Sequence, residues 1–284
     1  MEVGFLRIWL SMVLAVVLAA GAAQSSWAQP AAPSFLDARQ RLAKPDASAF
    51  PRLRFLTTTD FFPFNFLDGS GRLNGFHVDL ARAVCRKLEM LDRCQIQALP
   101  FDELEAALER GDGEALIAGL AITRQSREKY LFSRPYLMFP ARFVVRRGTT
   151  VPEPVSKTLA GERVGVLEGT AHEEMLRELF PQAQAIAYTE NSKLLEDLSA
   201  EKLDAVFGDG MRLGFWLADE QSKGCCVFAG GPYLAPEYLG QGLAVAVRRS
   251  DPELAAAIDY ALQAIDADGT FAELYLRYFP VGFY

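Results

Sequence analysis

Apolar and polar positions along this chain alternate between two rhythms. From residue 53, "LRFLTTT" reads as a buried strand, followed by the aromatic turn "DFFPFNF" and the turn "DGSGRLNG". Leu80, Val84 and Leu88, with Ala81 and Cys85 beside them, then recur at helical spacing and give one buried stripe. "QIQALP" predicts a second strand, and Asp102 with Glu105 predicts a capping box for a helix through Leu104, Ala107 and Leu108 that Gly111 ends. "EALIAG" predicts a third strand. A polar, proline-bearing stretch over 146–158 breaks the pattern, and a second series follows. It comprises strand "RVGVLEG", a helix over 171–179, strand "AIAY", a helix through Leu194, Leu195 and Leu198, strand "LDAVFGD" and a helix over 213–217. A further strand, "LAVAV", precedes two closing helices, one through Leu254, Ile258, Leu262 and Ile265, the other through Leu274 and Tyr278. Strands alternating with helices signal an α/β protein, and two such series predict two lobes.

Open α/β sheets bind ligands outside the carboxyl ends of their strands. The stretches expected to carry the chemistry are therefore the strand-end turns 57–64, 118–127, 165–172 and 207–210.

The first residues follow another logic. Arg7 precedes an apolar run over 8–23 and the small-x-small pattern Ser26-Trp27-Ala28, which together predict a secretory signal peptide over 1–28, cut after Ala28. Residues 29–50, rich in Ala and Pro, predict a loose lead-in. Export makes the periplasm the expected compartment. Glu2 and Arg7 cancel, so the mature chain keeps the net charge of −7, which argues against nucleic acid or an anionic membrane as partner.

The cysteines, Cys85, Cys94, Cys225 and Cys226, lack metal spacing, and the histidines His77 and His172 lie far from any pair, so no metal or other cofactor is expected. In an oxidising compartment disulfide chemistry is the better reading. A Cys85–Cys94 bridge would tie a helix end to the strand beside it. Cys225 and Cys226 leave a vicinal disulfide, two free thiols or a partner contact open.

Taken in order, "TTTDFFPFNF", "GRLNGFHVDLARAVCRKL", "FDELEAALERGDGEALIAGLAIT", "FSRPY", "RVGVLEGTAHEEML", "LSAEKLDAVFGD", "GQGLAVAVRR" and "IDADGTFAELYLRYF" resemble the family 3 periplasmic solute-binding proteins of polar amino acid uptake. The resemblance implies a type II Venus-flytrap fold whose two α/β lobes are joined by two crossover strands. Lobe 1 would comprise 50–139 and 242–284, lobe 2 would comprise 140–241, and some members share the Cys85–Cys94 bridge. It implies a monomer that captures an amino acid or related carboxylate-bearing amine and presents it to a membrane ABC transporter permease, without turnover.

Residue by residue, Asp209 matches the acid that takes the ligand's ammonium, although such a position also suits a helix N-cap. Gly169 and Thr170 start a helix whose free N–H groups favour a carboxylate; Ala171 replaces the family's second hydroxyl. In lobe 1, Gly119, Ala121 and Thr123 hold the strand-to-helix turn, without the serines common at the first two positions, and Phe61 matches an aromatic that covers the ligand. The family's carboxylate-gripping arginine falls on Ser126, so Arg127, one residue on, is the expected clamp, with Arg124 the weaker candidate. The same fold also carries dehydratases of cyclic acids. An enzyme of that kind would need a general acid, for which Glu168, His172 and Glu173 are the candidates. A periplasmic accessory ligand-binding subunit is a further alternative.

Overall fold

The computed structural model describes residues 32–37 and 41–284. The signal peptide expected over 1–28 and its expected cleavage after Ala28 lie outside the described residues. The chain runs through β1 (Leu53–Thr57), a small antiparallel meander β2 (Asp60–Phe61), β3 (Asn65–Leu67) and β4 (Leu73–Asn74), then α1 (Phe76–Lys87), β5 (Cys94–Ala98), α2 (Phe101–Arg110), β6 (Ala115–Leu116), α3 (Arg124–Lys129) and β7 (Tyr130–Phe132). It continues with β8 (Ala141–Arg146), α4 (Val155–Thr158), β9 (Arg163–Leu167), α5 (Ala171–Leu179), β10 (Gln184–Tyr188), α6 (Asn191–Ser199), β11 (Ala205–Asp209), α7 (Gly210–Ala218), β12 (Cys226–Tyr233) and α8 (Pro236–Leu239). It closes with β13 (Ala246–Arg248), α9 (Pro252–Ala267) and α10 (Thr270–Tyr278).

Two five-stranded sheets divide these elements into two lobes, in the orders β5-β1-β6-β13-β7 and β10-β9-β11-β8-β12. Each sheet has a parallel triplet, β5-β1-β6 or β10-β9-β11, followed by an antiparallel neighbour, β13 or β8. The carboxyl ends of β1 and β6 in one lobe, and of β9 and β11 in the other, carry the strand-end turns singled out above. The chain crosses between the sheets over 133–140 and again over 234–245. There Leu137 and Leu243 form an antiparallel bridge, with Tyr136 N donating to Leu243 O at 2.9 Å and Leu243 N to Leu137 O at 2.7 Å.

Helix stripes build the cores. Leu80, Ala81, Val84 and Cys85 of α1 pack with Leu254, Ile258, Leu262 and Ile265 of α9 on one face of the first sheet, and Val164, Val166, Met175, Leu176 and Phe207 fill the second lobe. The described part of the lead-in packs onto the first lobe instead of hanging loose: the Phe35 ring meets Tyr284 edge-on at 5.4 Å, and Leu42 N donates to Gln263 Oε1.

Helix starts show where local chemistry wins. The helix over 171–179 has the bounds its pattern implies, with Thr170 as N-cap, and Gly111 ends α2 in the left-handed conformation that glycine adopts freely. The capping box expected from Asp102 and Glu105 does not form. α2 begins at Phe101 behind Pro100, so Asp102 sits inside the first turn, where its negative charge favourably meets the positive end of the helix dipole without capping. Cys85 and Cys94 are bridged, with their Cα atoms 6.1 Å apart, and Cys225 is bonded to Cys226, the vicinal alternative.

Candidate functional site

The β11–α7 junction places Asp209. Its φ and ψ leave the helix at −58° and 117°, and its Oδ1 accepts from Arg212 N at 2.8 Å, so the carboxylate caps α7 while its second oxygen stays uncommitted among the described residues. The neighbouring β9–α5 junction places Thr170, whose hydroxyl donates to Leu167 O at 2.7 Å and accepts from Glu173 N at 3.3 Å.

Gly169 behaves differently from the expected anion cradle. Its N–H donates to Glu173 Oε2 at 2.8 Å, and Glu173 in turn is held by Arg177 at 2.8 Å. The Arg177 contact, with the Gly169 N–H behind it, keeps the Glu173 carboxyl below its ordinary range. It is therefore ionised at neutral pH and is no proton donor. Glu168 is exposed and takes no part in the cavity.

Between these two junctions and the start of α6 lies a cavity of about 390 Å3. Thr170, His172, Asn191, Asp209 and Arg212 supply its polar wall, and Leu167, Leu194, Leu195, Phe207 and Leu213 its apolar wall. The size suits a small metabolite. Burial pushes the His172 imidazole below its ordinary value; Asp209 opposes that shift and Arg212 adds to it. The ring is therefore neutral at pH 7.

Of the residues singled out from sequence, Thr170 and Asp209 line this cavity; Phe61, Gly119, Ala121, Thr123, Arg127 and Gly169 do not. In lobe 1 Phe61 lies against Gly119, which has a φ of +79°, and stacks on Phe64 with ring centroids 4.6 Å apart. Ala121 is exposed, and Thr123 is the N-cap of α3. The cap is reciprocal: Thr123 Oγ1 accepts from Ser126 N at 3.1 Å and Ser126 Oγ accepts from Thr123 N at 2.9 Å, while Ser126 also bonds to Ala121 O at 2.8 Å.

Ser126 is thus spent on holding the turn. Arg127 turns to Gln241, donating to its Oε1 at 2.5 Å, and its guanidinium carbon lies 5.9 Å from the Phe132 ring centre. Arg124 is exposed and within 3.8 Å of Glu128. Arg212 and Asn191 were not singled out from sequence. The signal for Arg212 was its spacing, three residues after an N-cap acid, and for Asn191 its place where the chain leaves the carboxyl end of β10 and enters α6. Among the described residues no group of three or more His, Cys, Asp or Glu side chains is placed to hold a metal ion.

Residues 53–281 match the model of the bacterial extracellular solute-binding proteins, family 3. The chain belongs to that family. Among its relatives, this solute-binding protein is 31% identical over 247 residues to an L-arginine-binding protein of Pseudomonas aeruginosa, covering 86% of this chain and 93% of that one. It is 30% identical to the histidine-binding periplasmic protein of Escherichia coli K12, with 84% and 91% covered. Among solved structures it resembles an ancestral cationic amino acid solute-binding protein, with a TM-score of 0.58, 26% identity and 81% and 96% coverage. The named relatives are binding proteins, and the two-lobed α/β architecture described above is that of the family.

Proposed function

We propose that the mature chain is a periplasmic binding protein that captures an amino acid or related carboxylate-bearing amine and presents it to an ABC transporter permease. The observation that carries this reading is Asp209: a half-buried carboxylate at the carboxyl end of β11, with one oxygen capping α7 and the other free to meet an ammonium in a cavity of about 390 Å3. The names of the relatives, which bind arginine and histidine, support the same ligand class. The strand-end turns of lobe 1, with Phe61, Gly119, Ala121 and Thr123, form the opposite lip of the cleft, and the lobes close over the solute by hinging at 133–140 and 234–245. The chain acts as a monomer, without turnover, after cleavage near Ala28; nucleic acid is not its partner.

Mature protein stripped of carried-over solute tests this. A panel of the common L-amino acids should contain at least one that raises the unfolding temperature by several degrees at millimolar concentration and is recovered unchanged. A panel with no shift, or a solute converted on incubation, overturns the reading.

A further inference from the structure

The lobe 2 cavity carries two full charges of opposite sign whose side chains do not meet. Asp209 caps α7 and Arg212 is its third residue, a spacing that sets both side chains on one flank of the helix, and both line the cavity. Among the described residues, the second Asp209 oxygen and the Arg212 guanidinium make no hydrogen bond or ion pair. Such a pair left apart on one wall is complementary to a zwitterion, whose ammonium and carboxylate are themselves adjacent.

Other partners for a ligand carboxylate are already engaged. Ser126, where the family's arginine is expected, is committed to the α3 cap; Arg127 is held by Gln241; and the Gly169 N–H is taken by Glu173. The remaining wall is apolar where Leu194, Leu195, Phe207 and Leu213 face the cavity. His172 is neutral, and Arg212 disfavours a second cation beside it, so among the described residues that line this cavity a lysine- or arginine-like side chain finds no counter-charge beyond the one Asp209 gives to the ammonium.

We propose that Arg212 is the carboxylate clamp of this chain, and that the lobe 2 cavity holds an α-amino acid with an apolar side chain. Its ammonium meets Asp209, its carboxylate meets Arg212, and its side chain lies against Leu194, Leu195 and Leu213. This assignment rests on the amino acid reading above and narrows it to one ligand class and one arginine.

Isothermal titration calorimetry of the solute-stripped mature protein tests it with three probes. These are L-leucine, isopentylamine, which keeps the amine and side chain but lacks the carboxylate, and L-arginine. Wild-type protein binds L-leucine at least about 30-fold more tightly than isopentylamine, the scale of a charge-assisted carboxylate contact. Arg212→Ala removes that ratio and Arg127→Ala keeps it. Arg212 is exposed, so its truncation leaves the unfolding temperature close to wild type. A ratio that survives Arg212→Ala, or one that collapses in Arg127→Ala, overturns the proposal. Binding of L-arginine without L-leucine overturns it too, while leaving the amino acid reading intact. Failure of both amino acids sinks the proposal, and the broader panel above then decides the amino acid reading separately.

Discussion

Phe61 lies so close to Gly119 that a Cβ built at position 119 would stand 2.8 Å from the Phe61 ring edge. With a φ of +79° the backbone there also disfavours any side chain. Gly119→Ala should therefore destabilise the protein by about 1–3 kcal/mol in chemical unfolding. Adding Phe61→Ala should recover part of that loss, because it removes the clash and leaves the backbone strain. Strictly additive losses would show that the ring and the glycine are not in contact.

A second expectation concerns Ser126. Its hydroxyl and that of Thr123 close the α3 turn from both sides, so Ser126→Ala should cost about 1 kcal/mol. Ser126→Arg, which installs the arginine that the resemblance led one to expect at this position, should be destabilising to a similar degree because it also loses the cap. An Arg variant as stable as wild type would contradict the view that Ser126 is held by the turn.

Buried Arg142 in β8 offers a third. Its guanidinium lies 4.5 Å from the Phe228 ring centre, yet Nε and Nη1 have no partner among the described residues. Burial lowers its proton affinity, as expected of a cation taken out of water without a counter-ion. Arg142→Met keeps the length and removes the charge, and should raise stability by about 1–2 kcal/mol. A lower unfolding temperature would mean that the charge is compensated.

Histidine 77 sets a pH dependence. It is fully buried in lobe 1 with Nε2 2.8 Å from the Tyr136 hydroxyl, and burial drives its pKa from 6.5 down to about 3. The unfolded chain therefore binds a proton between about pH 6.5 and 3 that the folded chain does not. His77 thus favours folding fully above pH 6.5 and progressively less as pH falls, with a slope approaching 1.4 kcal/mol per pH unit. His77→Gln should flatten the stability profile between pH 6 and 4. An unchanged slope would assign acid sensitivity to other groups.

Much of the architecture was legible because it rests on local rules. The apolar stripes of α1 and α9, the helix start at Thr170 and the Gly111 stop are each written within a few residues. β8 and β12 were not recognised as strands, for reasons visible in the structure. In β8 a charged Arg142 interrupts the apolar run "ARFVV", although the strand is buried along five of its six residues. In β12 "CVFAGGPY" looks like a turn, and the sheet accommodates its glycines and proline with a register shift between Ala229 and Tyr233. Of the cavity lining, Asp209 and Thr170 could be singled out because strand-end positions carry them. Arg212 could not, since its place in the lining depends on a cavity assembled from β9, β11, α6 and α7. Nor does sequence reveal that Glu173 occupies the Gly169 N–H, a contact between side chain and backbone.

Capture of a small ammonium-bearing solute through Asp209 is most directly tested by native mass spectrometry of the protein purified without dialysis, beside Asp209→Asn. Asn keeps the α7 cap and loses the charge, so the fold should be unaffected. The wild-type protein is expected to carry a bound mass in the range of an amino acid that is absent from Asp209→Asn. No adduct on the wild type after incubation with an amino acid mixture, or the same adduct on both proteins, would contradict the account.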